Sequence, residues 1–199
     1  MKVLLVEGVP GVGAPAESEL RAAGHLVVGC EPADPSSPCR GLEAVGDCPL
    51  DGHDIDVAVV SRAGSDLVPS ERGALCAARQ RIPVVVVGDP RHTISFGPGT
   101  HAAGADLVSA CERAAASGVA HVAAVRRDLL MAGVVTSDEV DGANPRISFE
   151  VQRQPRRLRL VVHAPADEPR LASITKSAAE ALRRFDQHSS VIDVVTNPA

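Results

Sequence analysis

Three runs of aliphatic residues, 3–6, 57–60 and 84–87, contain no polar position at all. A strand with one wet face alternates polar and apolar residues. Unbroken runs of this kind suit strands buried on both faces, as happens when helices cover both sides of a parallel sheet. The segments between them supply the remaining parts. Residues 16–23 read as a helix, with Pro15 near its first turn and Gly24 as its stop. Residues 25–30 read as a second strand, 70–80 as a helix, and 105–108 as a short fifth strand. Strands alternating with helices at this spacing predict an α/β fold: a doubly wound five-stranded parallel sheet.

Beyond the sheet, residues 109–132 read as one long helix. Val108, Cys111, Ala115, Gly118, Val122, Val125, Leu129 and Ala132 recur at alternating spacings of three and four, a heptad-like stripe. The stripe has two readings: a helix packed on the sheet, or a dimer seam in which Val122, Val125 and Leu129 line the contact. Residues 133–145 read as a polar linker. Two alternating strands (147–152 and 157–163), an amphipathic helix (168–185) and a last strand (191–195) make a small α+β domain of ββαβ order. The expected organisation is a first domain over 1–132 ending in the long helix, a linker over 133–145, and the ββαβ domain over 146–199. About fifty residues bury little core alone, so the last domain is expected to pack on the first or pair with a copy of itself.

Composition removes several function classes. The chain of 199 residues has 45% apolar but only 2% aromatic residues, with no Trp or Tyr, so it lacks the stacking platforms of single-strand binders. Net charge is −5, which disfavours non-specific DNA binding. Residues 1–144 hold 11 basic and 19 acidic side chains, a net of −8, whereas 145–199 hold 9 and 6, a net of +3. No apolar run approaches the roughly 18 residues that span a bilayer. An odd number of cysteines, five, with no export signal predicts a reducing, cytoplasmic setting.

Ala22-Ala23-Gly24-His25, Asp56-Val57-Ala58-Val59-Val60-Ser61, Pro83-Val84-Val85-Val86-Val87-Gly88 and Ala103-Gly104-Ala105-Asp106 follow one another in the order and spacing of a known frame. Over about 110 residues the chain resembles the response-regulator receiver family. The resemblance implies a flavodoxin/receiver-like sheet whose functional pocket lies at the carboxyl ends of its strands. Receivers hold magnesium with two acids after strand one; those positions read Glu7 and Gly8. The phosphorylated Asp that closes strand three is replaced by Ser61, and the Ser or Thr closing strand four by Gly88. The Lys after strand five has no counterpart near 109–112. Phosphoryl transfer to a carboxylate needs that carboxylate, a cation and neutralised phosphoryl oxygens. The resemblance therefore implies a pseudo-receiver, with Glu7, Gly8, Ser61 and Gly88 lining a degenerate pocket still open to a small ligand.

Cys30, Cys39 and Cys48 are separated by eight intervening residues each time, around an irregular segment rich in Pro and Gly, and Cys76 lies on the next expected helix. Four thiolates are the ligand number of zinc or an iron–sulfur cluster. Buried small thiols are the other reading, and Cys111 falls on the long stripe. Gly8-Val9-Pro10-Gly11-Val12-Gly13, with Glu31 ending the second strand, invites a dinucleotide-binding enzyme, although the glycine spacing is not G-x-G-x-x-G and Pro10 lacks an amide donor. The only lysines, Lys2 and Lys176, exclude a Walker-type site. Asp89, His92, Ser95 and His101 sit on or beside the loop after strand four without a catalytic motif. Arg153, Arg156, Arg157, Arg159, Arg183 and Arg184 read as a solvated basic face or a site for an anionic partner. The expected function is non-enzymatic: a regulatory or scaffold protein acting through dimerisation and a protein partner, with no membrane or nucleic-acid role. The alternatives are a cysteine-ligated metalloprotein and a dinucleotide-binding enzyme.

Overall fold

The computed structural model describes residues 1–199 except 31–38, 43–46, 53, 63, 65, 67, 89–93, 98, 142–143, 155–156, 187–188, 190 and 199. The expectations placed on Glu31, Asp89, His92 and Arg156 fall outside the described residues. The chain divides into two compact units, Met1–Ala115 and Ala116–Ala199.

In the first unit, β1 (Lys2–Glu7), α1 (Ala14–Ala22), β2 (Leu26–Gly29), β3 (Val57–Ser61), α2 (Arg72–Arg79), β4 (Val84–Val87), β5 (Thr100–Ala102) and α3 (Leu107–Ala116) follow in chain order. The strands form one parallel sheet in the order β2-β1-β3-β4-β5, the flavodoxin-like winding. The period of two along each strand divides the apolar runs between the faces. Val3, Leu5, Val57, Val59 and Val85 meet Leu20 of α1 and Leu107, Ala110 and Cys111 of α3. Leu4, Val6, Ala58, Val60, Val84 and Val86 meet Ala74 and Ala77 of α2, together with Leu50, Ile55 and Phe96. Both faces are covered, which is why the runs carry no polar residue.

The fifth strand lies earlier than expected. Asp106 Oδ1 accepts the Ser109 amide at 2.9 Å. That cap starts a helix at Leu107, so the segment expected as strand becomes the first turn of α3.

The second unit holds α4 (Val119–Met131), α5 (Ser137–Val140), β6 (Ser148–Gln154), β7 (Arg157–Ala164), α6 (Leu171–Phe185) and β8 (Val191–Pro198). Its sheet has the order β6-β7-β8, antiparallel then parallel. The expected long helix is two helices, interrupted at Ser117 and Gly118. The break places α4 in the second unit, where Val125 and Leu129 join Phe149, Val151, Leu158, Leu160, Ile174 and Leu182 in one core. The segment expected as a linker contributes buried Val135 and Val140 to that core. Among the described residues, no helix is long and apolar enough to cross a membrane.

A charged knot joins three parts of this unit. Arg170 Nε donates to buried Glu168 Oε1 at 2.8 Å, Arg146 Nη2 donates to Glu168 Oε2 at 2.8 Å, and Arg170 Nη2 donates to Glu139 Oε1. Glu139 also accepts the Thr136 amide at 2.9 Å, capping α5. The hydrogen bond from Arg170 and then that from the Thr136 amide hold the Glu139 carboxyl down to about 2, from an ordinary 4.5. A folded value below the unfolded one means the ionised contact stabilises fully above the unfolded range. The contribution fades as pH drops from there toward 2. Thermal melts of the second unit are expected to fall over this acid window, and more shallowly in Glu139→Gln. Equal slopes in both proteins would refute the assignment.

Candidate functional site at the carboxyl edge of the parallel sheet

Register brings the expected pocket residues together. Glu7 of β1 pairs with Ser61 of β3, and Ser61 with Val87 of β4. The chain leaves the sheet through tight backbone contacts: Gly8 N donates to Ser61 O at 2.9 Å and Arg62 N to Val87 O at 3.0 Å. Gly88 has φ +141°, and a Cβ there would stand 3.0 Å from Arg62 O. This position requires glycine on both counts. Glu7, Gly8, Ser61 and Gly88 therefore share one rim.

The rim is filled by the chain's own charges. Glu7 accepts the Gly11 amide at 3.2 Å and, more closely, the Gly13 amide. Gly13 is the N-cap of α1, so the Glu7 carboxylate sits where the helix terminus attracts anions. A dinucleotide pyrophosphate would have to displace it. Beside it, Arg62 Nε donates to Glu71 Oε1 at 2.8 Å, and both side chains are only 2% exposed. Arg62 Nη2 also donates to Asp66 O at 2.8 Å, while Glu71 Oε2 accepts the Val68 amide at 3.1 Å. Ser70 Oγ donates to Gly8 O at 2.8 Å, tying the turn before α2 to the end of β1. A Cβ on Gly8 would stand 3.0 Å from Glu71 Oε1, so the absent side chain at position 8 is what admits the carboxylate. The Ser61 hydroxyl is buried and makes no hydrogen bond among the described residues.

Sequence reasoning missed the Arg62–Glu71 pair. Its one legible trace is Glu71 three residues after Val68, the capping spacing that the Val68 amide contact uses. A second buried pair also went unnoticed: His121 Nε2 lies 3.0 Å from Asp186 Oδ2, with Phe185 edge-on to the imidazole at 5.1 Å.

The four candidate metal-binding cysteines all lie among the described residues, and they do not form one ligand set. No group of three or more His, Cys, Asp or Glu suited to a metal occurs among those residues. A Cβ on Gly73 would stand 2.6 Å from Cys30 Sγ, and Cys39 and Cys48 both lie near Gly41. Cys30 and Cys48 pack on the apolar cluster under α2, whereas Cys76 faces solvent. Cys111 is wholly buried, and that desolvation pushes its thiol up to about 12.

Of the three residues expected at a dimer seam, Val125 and Leu129 are covered by their own unit, and Val122 packs partly against the same core. His101 lies on β5, where burial first and Arg113 second lower its imidazole. On the basic hairpin, Arg157 is paired with Asp193 of β8. Arg184 reaches Asp128 at 3.4 Å. The basic face is thus partly neutralised within its own unit.

No protein-family model matches this chain, and no curated protein matches it in sequence.

Proposed function

We propose that this is a non-enzymatic regulatory or scaffold protein whose first unit is a receiver-like frame without phosphoryl chemistry, and that it works by binding a protein partner. The observation that carries the reading is the buried Arg62–Glu71 pair at the carboxyl edge of the sheet. A receiver's acceptor there must be a carboxylate with room for a cation and a phosphoryl group. This rim instead offers a serine hydroxyl, a guanidinium already neutralised by Glu71, and a Glu7 carboxylate engaged by the amides before α1. The same engagement of Glu7 speaks against the dinucleotide reading. The odd cysteine count fits a reducing, cytoplasmic compartment.

The direct check is incubation with acetyl phosphate and magnesium, read by intact-mass spectrometry. The expected result is no phosphoryl adduct. Stoichiometric, magnesium-dependent labelling at an acid on this rim would overturn the proposal.

A further inference from the structure

The second unit carries a groove of about 800 Å³ between α4 and β6. Phe149 and Val151, alternate residues on the helix-covered face of β6, form its floor. Val119, Val122, Arg126 and Leu130 form its wall, at spacings of three, four and four that keep them on one flank of α4. Val119 is 51% exposed, and Met131 at the far end of the helix is 83% exposed. The wall is therefore apolar toward both ends and charged at its centre. Exposed apolar groups contiguous with an apolar groove mark an interaction surface.

The central charge decides what kind of partner fits. The Arg126 side chain is mostly enclosed, and its Nε is buried with no hydrogen bond among the described residues. It reaches exposed Asp141 at 3.8 Å, a loose contact of little energetic weight. Exposed Arg127, on the outer lip, pairs with its sequence neighbour Asp128 at 3.1 Å. Glu150 belongs to the opposite face of β6 from Phe149 and Val151, where Gln152 Nε2 donates to it at 2.7 Å and His163 lies 3.8 Å away. The groove itself thus presents cations alone. A carboxylate can accept from Nε and a terminal nitrogen together, the two-pronged geometry a guanidinium favours. A second copy of this face has no acid to offer. A fatty acid has its charge at one end, so with its carboxylate on Arg126 it covers only half the wall.

The geometry points to the α4–β6 groove as the docking site for an amphipathic helix of a protein partner, one that carries an acidic residue in the middle of its apolar stripe. That carboxylate sits on the Arg126 guanidinium. Apolar residues on either side of it meet Val119 and Val122 toward one end and Leu130 and Met131 toward the other. The wall runs about 18 Å from Val119 to Met131, the length of three to four helical turns. Its spacing of three and four is that of the ridges by which helices interlock, and Ala123, small and exposed at mid-helix, lets a second helix approach. The inference gives the partner in the reading above a chemical character and rests on that reading for its purpose.

The test titrates the full chain into a fluorescein-labelled synthetic helix of about 15 residues, with leucines at spacings of three and four and one glutamate at the centre of that stripe. Fluorescence anisotropy is expected to show saturable binding with a Kd of about 10 µM. Replacing the probe's glutamate by glutamine is expected to weaken binding about tenfold. Arg126→Met keeps the aliphatic stem, so it is expected to lose the same factor against the glutamate probe and almost nothing against the glutamine probe. Val119→Glu/Met131→Glu changes only exposed positions and is expected to abolish binding with an unchanged far-ultraviolet circular dichroism spectrum. No saturation by about 0.5 mM protein would overturn the inference. Equal affinity for the two probes, or an equal loss of both in Arg126→Met, would do the same. Laurate binding more tightly than the glutamate probe would give the groove to a lipid. A chain that sediments as a dimer until Val119 and Met131 are replaced would give it to a second copy, and either result overturns the inference. The phosphodonor experiment reads the first unit and this one the second. Failed docking therefore sinks this inference alone, and phosphoryl labelling sinks only the pseudo-receiver reading.

Discussion

Glu71→Ala is expected to destabilise the first unit by about 3 to 5 kcal/mol, the cost of stranding a buried guanidinium without its carboxylate. Arg62 and Glu71 are each almost wholly enclosed, so water cannot take over for the lost partner. The variant also removes the acceptor of the Val68 amide, which holds the turn leading into α2. Domains of this size have only about 5 to 15 kcal/mol in reserve, so the loss takes a large share of it. Urea titration followed by circular dichroism measures the loss. Arg62→Met/Glu71→Leu is expected to recover much of it, because an apolar pair of similar volume leaves no buried charge. A near-neutral Glu71→Ala would mean that the ion pair is solvated, and the filled-rim argument would fall with it.

The second large effect is expected at Gly118. A Cβ there would lie 1.9 Å from Val151 O and 2.6 Å from Val151 C. These are backbone atoms of β6, so no side chain can swing aside. Gly118→Ala must push the start of α4 off the strand, opening the core that Val125, Leu129, Phe149 and Val151 share. Overpacking of this kind costs about 3 kcal/mol, at the upper end of its usual range. Gly64→Ala is the control, since no atom of the other described residues lies within 4 Å of its Cβ position. Thermal melts should separate the two variants widely. An unshifted midpoint for Gly118→Ala would show that α4 and β6 lie further apart than described.

Much of the first unit was legible because its strands are buried on both faces. The polar-free runs at Val3–Val6, Val57–Val60 and Val84–Val87 could serve little else, and the sheet order follows from the winding they imply. The helical stripe was harder to read. Its spacing of three and four runs from Cys111 to Leu129 without a gap, yet Cys111 belongs to the core of one unit and Leu129 to that of the other. Apolar periodicity reports which residues are buried, not what buries them, and Gly118 was read as a member of the stripe rather than its break. Glu7, Gly8, Ser61 and Gly88 were placed on one rim by the frame alone. What fills that rim was invisible, because a buried arginine is written with the same letter as a solvated one. The cysteines show the converse: regular spacing suggested joint chemistry, where the fold packs Cys30 and Cys48 on one apolar cluster and leaves Cys76 in solvent.

The apolar interior is divided into sets that share no residue between Met1–Ala115 and Ala116–Ala199. Cooperativity is then a property of each core, and a two-state fit is licensed only where different probes report coincident transitions. A single midpoint drawn through its calorimetric trace describes the chain only where the calorimetric and van't Hoff enthalpies agree.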